Sequence, residues 1–509
     1  MAHITGVTQP GTKADWARLS PDARQEATEP ASQLEPGNEN PVTLASSGSS
    51  RLNEDTAPLV MTRPAPVAAT FEISPASSSP DWDQTLGQAL TDIDSPESWS
   101  MLARGPGMLA GREGTTQHAE SRLQSGQAID RFQLPEPPNP LGKMSFSATL
   151  ESGAQITFEV TANQGHGQSR GGSMAYRSID VSYASDVELT EAEQEALDQF
   201  SQGLGQFAGD FARNRSPDIA LLKLTDSPLL TTIKLSMRID RDSMALSYQS
   251  DADGRQLDLK WNGRSLSMSV AADTLAGGAA ADALNDVRRT ITESLGKAKA
   301  SEDDQNVLLQ ALSLFGGMPE ASEAGPSIPE GGEALLTGLP DYDIRFKGVA
   351  EPPKELKYNE HFQKYSGVRS FELSQSTNVT EKDGRLLIDQ TQLMALDAAY
   401  FTALPHLERP DFNYENFNWT VIKERHEITT QQVWEDNELA SAQMWRSSQS
   451  SQITETWSEG EQIDRAANRI DRQQLDDLAD WVDARSKGDQ GPMSEPDQSA
   501  VRITHQWLH

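Results

Sequence analysis

Cysteine does not occur among the 509 residues of this chain. Its absence excludes disulfide bonds, thiolate zinc sites, iron–sulfur clusters and cysteine nucleophiles. The eight histidines form neither a His-Glu-x-x-His sequence nor a His-x-His pair, and no P-loop or dinucleotide-binding spacing is present. The sequence therefore predicts no metal, no cofactor and no catalytic residue, and it favours a protein without enzyme activity.

Basic residues are few compared with acidic ones. The chain has 43 Lys and Arg against 76 Asp and Glu, which gives a formal net charge of −33. Nucleic acids and anionic membranes attract proteins through basic patches that neutralise phosphate, so neither is an expected partner. Basic proteins and cationic ligands fit this charge.

Long apolar segments are missing as well. No run approaches the ~18 apolar residues of a membrane span. The first residues, MAHITGVTQPGTKADW, have neither the basic nor the apolar region of a signal peptide. We therefore expect a cytoplasmic protein without membrane insertion. Export by a route that needs no signal peptide is the alternative, because a polar N-terminal segment without cysteine suits a narrow secretion channel.

The apolar content is low for a chain of this length. Hydrophobic residues make up 36% of the sequence, and the mean hydropathy is −0.58. Residues 1–140 are rich in Pro, Ser and acidic residues and show no sustained periodicity, which predicts a disordered acidic arm. Residues 487–509 are interpreted as a tail.

One short segment of the arm has a helical pattern. Trp82, Leu86, Leu90 and Ile93 recur at helical spacing behind an acidic first turn. One hypothesis is a motif that folds into the groove of a partner protein. The other is a local helix that lies on the core of this chain.

Residues 141–317 predict an α+β domain. Alternating β-hairpins lead into an amphipathic helix at 190–213, where Thr190 and Glu193 have the spacing of a capping box. Four alternating strands follow at 230–271, with Asp-Gly and Asn-Gly turns that indicate an antiparallel meander. Two further helices complete the domain. Three glycines of the first helix predict close approach to this sheet: Gly203, Gly205 and Gly209.

A Pro/Gly linker at 318–336 separates a second, β-rich domain at 337–486. Its strands have faces rich in Thr, Ser and Gln, as in EITTQQVW, which is typical of a sheet open to water on one side. A final helix is expected from Ile470 to Arg485. The predicted fold class is α+β: two antiparallel-sheet domains, each with helices packed on one face, preceded by a long disordered N-terminal arm.

Four tryptophans recur about once per predicted strand of the second domain: Trp419, Trp434, Trp445 and Trp457. They form a candidate aromatic strip for a sugar, a peptide or an apolar ligand. The alternative is that they fill the core between the sheet and the terminal helix, because tryptophan contributes strongly to core burial.

Two Asp-x-Asp pairs have a spacing that metal-dependent transferases use. They are Asp251 with Asp253 and Asp341 with Asp343. The first pair adjoins Gly254 in a predicted hairpin turn, where aspartate is favoured for its hydrogen bonds to the turn backbone. Turn chemistry therefore accounts for it.

The segment SIDVSYASDVELTEAEQEALDQFSQGLGQFAGDF resembles a group of uncharacterised bacterial proteins. In that group a β-segment runs into an acidic Glu-Leu-x-x-x-Glu helix with spaced aromatic residues. The likeness covers about residues 144–235 and is carried by these positions: Glu188, Leu189, Glu193, Ala196, Leu197, Phe200, Phe207 and Phe211. The resemblance implies a strand-to-helix element and a bacterial origin, and it supplies no activity.

These observations favour an interaction protein without catalytic machinery. Binding to a protein partner would use the Trp82 motif, or a sheet face or edge of the second domain. One alternative is an exported effector enzyme whose site lies in the C-terminal domain. Another is a carrier of an apolar ligand, lined by the tryptophans.

Overall fold

The computed structural model describes residues 68–74, 80–112, 114–126, 139–169, 172–272, 280–315, 328–329, 331–349, 353–356, 359, 361–362 and 367–486. All of them belong to one compact unit, Arg63–His509. The predicted tail at 487–509 and residues 1–67 of the predicted arm lie outside the described residues.

Fifteen antiparallel strands form a single sheet. Along the sheet their order is β1-β2-β5-β4-β3-β6, and from β6 to β15 the order follows the chain. The strands are β1 Ala68–Ser74, β2 Thr115–Gly126, β3 Asn139–Leu150, β4 Gln155–Ser169, β5 Gly172–Ser185, β6 Leu230–Ile239, β7 Asp242–Asp251, β8 Gly254–Trp261, β9 Arg264–Ala271, β10 Tyr342–Lys347, β11 Gly367–Lys382, β12 Arg385–Thr402, β13 Phe417–Glu435, β14 Glu438–Ser458 and β15 Glu461–Asp477.

Seven α-helices lie within the described residues. They are α1 Pro80–Thr91, α2 Pro96–Leu102, α3 Gly105–Met108, α4 Glu191–Asn214, α5 Ala280–Lys297, α6 Glu302–Ala311 and α7 Ala479–Ser486. None of the helices in this part of the chain is long and apolar enough to cross a membrane.

The start of α4 confirms the predicted capping box. The Thr190 hydroxyl accepts a hydrogen bond from the Glu193 amide at 3.3 Å, and the Glu193 carboxylate accepts one from the Thr190 amide at 2.9 Å. Two amides that have no partner inside the helix are thereby satisfied. The four strands of the predicted meander and the two helices after it are also confirmed, as β6–β9, α5 and α6.

One row of paired residues shows that a single core face runs across the sheet. Along this row the side chains are apolar up to β12 and mostly polar beyond it. The row reads Phe158, Phe146, Leu235, Leu246, Leu259, Leu266, Phe346, Phe371, Leu396, Glu424, Ser450 and Ile470. We call this side of the sheet the core face and the opposite side the outer face.

Helices cover the core face along its apolar part. Phe200 of α4 stacks on Phe146 of β3, with ring centroids 5.6 Å apart. Ile291 and Leu295 of α5 are fully buried in the same core. The free energy that holds the fold together therefore comes chiefly from apolar burial between β2 and β12.

The glycines of α4 allow close approach of neighbouring backbone, as expected, but this backbone does not belong to the sheet. A Cβ at Gly203 would lie 2.5 Å from the Leu221 carbonyl oxygen, and one at Gly205 would lie 2.8 Å from the Ser100 carbonyl oxygen. The close neighbours are thus α2 and the 3-10 helix Ile219–Leu222.

The two predicted domains share one continuous sheet. Strand β10 pairs with β9 on one side and with β11 on the other, with Tyr342 opposite both Val270 and Gln375. The separate-sheet arrangement is therefore corrected. The predicted linker at 318–336 lies largely outside the described residues and stays a prediction, while β9 before it and β10 after it pair directly.

The predicted arm is also corrected over part of its length. Residues 68–74 form the edge strand β1 and residues 115–126 its neighbour β2, and 80–108 contain three helices. Pro, Ser and Gly are frequent there because the helices are short and joined by tight turns. Ser95, for example, caps α2 directly before Pro96.

Glutamines of the second half hold a buried segment on the core face. Gln375 Nε2 donates to the Leu339 carbonyl at 2.9 Å, and Gln432 Nε2 donates to the Gly332 carbonyl at 2.9 Å. The expectation that the Thr- and Gln-rich face lies open to water is therefore wrong at Gln432. These amides are buried because they satisfy the irregular backbone of residues 332–340.

Candidate interaction surface

Strand β15 forms the C-terminal edge of the sheet, where the predicted final helix was expected. It pairs with β14 as a strand over all of its 17 residues except Ile463, and the helix that follows is limited to Ala479–Ser486. Among the described residues, no strand pairs with the other side of β15. The prediction of a helix beginning at Ile470 is therefore wrong.

The hydrogen bonds of β14 determine which groups of β15 are free. The Leu478 amide donates to the Ala442 carbonyl at 2.9 Å, and this register runs unbroken from Asp477 to Asp464. Alternate residues of an antiparallel strand bond to opposite sides. Even-numbered residues of β15 therefore bond to β14, and the amides and carbonyls of odd-numbered residues point away from the sheet.

Neither face of β15 is covered. All of its residues are exposed except Ile470 and Asp476, which are half-buried. The side chains are mostly charged or polar. On the core face lie Asp464, Asn468 and Arg472, and on the outer face lie Arg465, Arg469 and Asp471. This strand consequently contributes almost no apolar burial to the fold.

Ionic contacts join β15 to its neighbour. Arg446 of β14 forms an ion pair with Asp476, and the Arg465 Nε lies 3.6 Å from Glu455 Oε1. The Arg465 amide, one of those that point outward, donates to the Asp464 carboxylate at 2.8 Å. These contacts fix the strand in register while its edge stays accessible.

The four tryptophans do not share one face. Trp434 lies on the core face against Val482 of α7, whereas Trp419 and Trp457 lie in an outer-face cluster. Trp445 is 41% exposed on the outer face, directly opposite Leu475 of β15, which is 65% exposed. The binding strip stays a prediction; Trp445 and Leu475 form an exposed apolar pair beside the free edge.

The outer-face cluster is organised around Phe362, which is fully buried. Its ring lies 5.4 Å from that of Trp419 and 5.0 Å from that of Trp457. His361 packs on the same rings, and its Nε2 lies 2.8 Å from Glu455 Oε2. These contacts hold the segment before β11 against the outer face of β13 and β14.

The Trp82 group lies in the core. Trp82, Leu86, Leu90 and Ile93 are at most 1% exposed. The Trp82 Nε1 donates to Gln117 Oε1 at 2.8 Å, and its ring meets Phe158 edge-on. In this structure the group serves the chain's own fold, and its use by a partner stays a prediction.

A buried polar set lies on the core face where the apolar row ends. Ser448 Oγ lies 2.9 Å from His426 Nδ1, and Glu424 forms an ion pair with Lys297 of α5. Burial lowers the pKa of His426; the Glu424 charge opposes this shift and the Lys297 charge adds to it. Because Glu424, His426 and Ser448 are all at most 5% exposed, a substrate cannot reach them in this conformation.

Both Asp-x-Asp pairs border one open surface depression. Asp251 accepts hydrogen bonds from the amides of Asp253 and Gly254, at 2.9 and 3.2 Å. Asp341 accepts two from Thr377, both at 2.7 Å. Burial raises the pKa of Asp341, and the bonds from Thr377 oppose this rise. No three His, Asp or Glu residues of the described chain are placed to hold a metal ion.

The sequence from Gly167 to Gly171 has the Gly-x-Ser-x-Gly spacing of a hydrolase elbow. That elbow needs a sharp turn from a strand into a helix. Here Ser169 ends β4, and β5 begins at Gly172 and pairs with β4 as a hairpin. The serine therefore lacks the structural setting of a nucleophile.

Sequence reasoning missed the free edge because β15 has no apolar alternation. The available signal was indirect: charged residues of both signs are mixed with alanine and asparagine after a Glu459-Gly460 turn. Edge strands commonly carry such charges.

Comparison with known proteins adds no relative: no family model matches the chain, and neither a curated protein nor a solved structure shows significant similarity to it.

Proposed function

We propose that this chain is an interaction protein that binds an extended polypeptide strand along the free edge of β15. The observation that carries the proposal is the row of outward-pointing amides and carbonyls from Arg465 to Asp477. An added strand forms a backbone ladder with such a row, and its side chains meet those of the edge strand.

The length of β15 supports this function. Strands commonly have about five or six residues, and natural proteins tend to keep edge strands short or covered. Strand β15 has 17 residues, whereas β1 at the opposite edge has seven. Since β15 buries little apolar surface, core formation does not account for its length.

The side chains of β15 make the edge selective. Arg465, Arg469, Asp471 and Arg472 discourage pairing with uncharged, aggregation-prone strands. A partner strand must offer charges of opposite sign at matching positions. The apolar pair Trp445 and Leu475 adds a contact for one large side chain on the outer face.

The other functions predicted from the sequence receive less support. Trp434 and Trp445, on which a carrier depends, lie on opposite faces of the sheet. The buried Ser448 and His426 pair does not meet solvent. A cysteine-free strand edge needs no particular redox compartment, so the proposal holds for a cytoplasmic protein and for an exported one.

A proline substitution tests the proposal. Ala467→Pro removes one outward-pointing amide and leaves the bonds to β14 intact, whereas Ala467→Ser keeps the amide and is the matched control. The probe is an array of extended synthetic peptides with varied charge patterns, applied to the full chain. We expect a subset of peptides to bind the native and Ala467→Ser chains and to lose at least about tenfold in affinity for Ala467→Pro. Peptide binding that is absent, or equal in all three proteins, would contradict the proposal.

A further inference from the structure

The charge order of β15 is self-complementary. The strand carries Asp464 and Arg465 near one end and, seven residues further on, Asp471 and Arg472. When two copies of the strand run antiparallel, each acidic residue can face a basic one. We propose that the strand bound at the edge of β15 is β15 of a second copy of this chain. This inference rests on the proposed function.

The backbone restricts the registers in which two such strands can pair. Odd-numbered residues point into the gap, so they must lie opposite odd-numbered residues of the second copy. A twofold axis perpendicular to the sheet then passes midway between one residue of the strand and the same residue of the second copy. Only registers centred on a residue are therefore allowed, and they are few within the regular part, 464–477.

Centring the pair on Asn468 matches charges on both faces of the sheet. Asp464 then faces Arg472 of the second copy on the core face, and Arg465 faces Asp471 of the second copy on the outer face. The twofold axis repeats each pair, which gives four ion pairs. Ala466 faces Ile470 of the second copy and Ala467 faces Arg469, so no like charges lie opposite each other between residues 464 and 472.

Other registers of comparable overlap are less favourable. Centred on residues 467, 469, 470, 471 or 472, they place like charges opposite each other, which destabilises cross-strand pairs. Centring on residue 473 avoids this but forms only one kind of ion pair, between Arg469 and Asp477. The like pairs of the other five registers are, in order, Arg465–Arg469, Arg469–Arg469, Asp464–Asp476, Asp471–Asp471 and Arg472–Arg472.

The present contacts of Asp464 and Arg465 are compatible with this exchange. The Asp464 carboxylate now accepts from the Arg465 amide at 2.8 Å, and the Arg465 side chain is 56% exposed. In the paired state that amide donates to a carbonyl of the second copy, and the Asp464 carboxylate turns to Arg472 of the second copy. Each charged group thus changes its partner, and no charge becomes buried without an opposite charge beside it.

The absence of cysteine makes the register directly testable. At the twofold axis residue 468 forms a non-hydrogen-bonded pair with itself, with Cα atoms about 4.5 Å apart, within disulfide range. Residue 473 of the two copies would be about 33 Å apart at ~3.3 Å per residue. Under mild oxidation we expect Asn468→Cys to form a covalent dimer at least tenfold faster than Gln473→Cys. Equal rates, or a faster rate for Gln473→Cys, would overturn the register.

Charge reversal tests the pairing without a covalent bond. Asp464→Arg and Arg472→Asp each place like charges together and should raise the dimer dissociation constant about tenfold. The double variant restores opposite charges and should return to within about threefold of the native value. Sedimentation at physiological salt, from about 1 to about 500 µM protein, measures this constant. Far-UV circular dichroism checks that each variant is folded.

The two proposals fail in different ways. A chain that stays monomeric to about 500 µM, yet binds peptides that Ala467→Pro rejects, keeps the strand-addition function and loses the second copy as its partner. If the native chain dimerises but the double variant does not regain the native affinity, the inference is also overturned. Loss of both peptide binding and dimerisation removes the edge as a binding site.

Discussion

Ser448 Oγ lies 2.9 Å from His426 Nδ1, on neighbouring strands and beneath the helical layer. Lys297 and Glu424 face the same buried position. The two strands that carry these side chains are the last with a covered core face, since β15 beyond them is exposed on both sides. The pair thus marks where the core ends and the bare sheet begins.

This buried histidine predicts a pH dependence of stability. Burial lowers the pKa of His426 in the folded chain, whereas an unfolded histidine takes up a proton near pH 6.5. Below that pH the unfolded state therefore binds more protons, and the free energy of unfolding falls as the pH drops towards the folded pKa. Urea denaturation from about pH 5 to about pH 8 should show a weaker fall for His426→Asn than for the native chain. His406→Asn, at an exposed position, is the control and should keep the native slope.

Trp82→Ala should destabilise the fold by about 3–5 kcal/mol, because this fully buried side chain packs on Phe158 and donates to Gln117. Chemical denaturation measures the loss. Trp445→Ala, at a 41% exposed position, should change stability by less than about 1 kcal/mol. Equal denaturation midpoints for the two variants would place α1 outside the core. A deletion of residues 80–95 would remove core, so partner loss in that deletion would not identify a binding motif.

Two helical glycines should respond to alanine with opposite signs. A Cβ at Gly203 would lie 2.5 Å from the Leu221 carbonyl oxygen, whereas one at Gly296 of α5 meets nothing within 4 Å. Gly203→Ala should therefore lower the melting temperature. Gly296→Ala should raise stability by up to about 1 kcal/mol through its higher helix propensity. A neutral or stabilising effect at Gly203 would contradict the close packing of α4.

Amide hydrogen exchange should alternate along β15 in the monomer. Even-numbered amides bond to β14 and should exchange slowly, whereas odd-numbered amides point to solvent and should exchange fast. Strand β13, paired on both sides, supplies the control, with protection at consecutive residues. Exchange resolved by residue also tests the edge pairing, because concentrating the protein should slow exchange at Ala467 and Arg469. Uniformly fast exchange from Asp464 to Asp477 would show that β15 is not a stable strand.

The sequence was most informative where local signals and the fold agree. The Thr190 capping box, the Asp253-Gly254 and Asn262-Gly263 turns and the period-two strands between them all predicted what the structure has. The spacing of the phenylalanines predicted which side of α4 is buried, and Phe200, Phe207 and Phe211 are indeed buried. In these elements propensity, turn chemistry and burial point to the same conformation.

The sequence misled where pairing with a distant strand decides the conformation. Leu475, Leu478 and Val482 have the spacing of a helix, and the Arg, Gln and Asp residues before and among them have weak strand preference. Strand β14 nevertheless offers a full row of backbone partners, and the segment to Asp477 takes them. The continuity of the sheet from β9 to β10 could not be predicted either, because composition does not show that Tyr342 pairs with Val270.

From β6 onward each strand pairs with the strand before it and the strand after it in the chain. A force applied at Ser486 would first detach α7 and then break the β14–β15 hydrogen bonds one after another, because no strand of the described residues pairs with the other side of β15. Each strand that leaves exposes the next as a new edge with its own pattern of side chains. The C-terminal half can thus shorten stepwise from its end while the helix-covered part between β2 and β12 stays assembled.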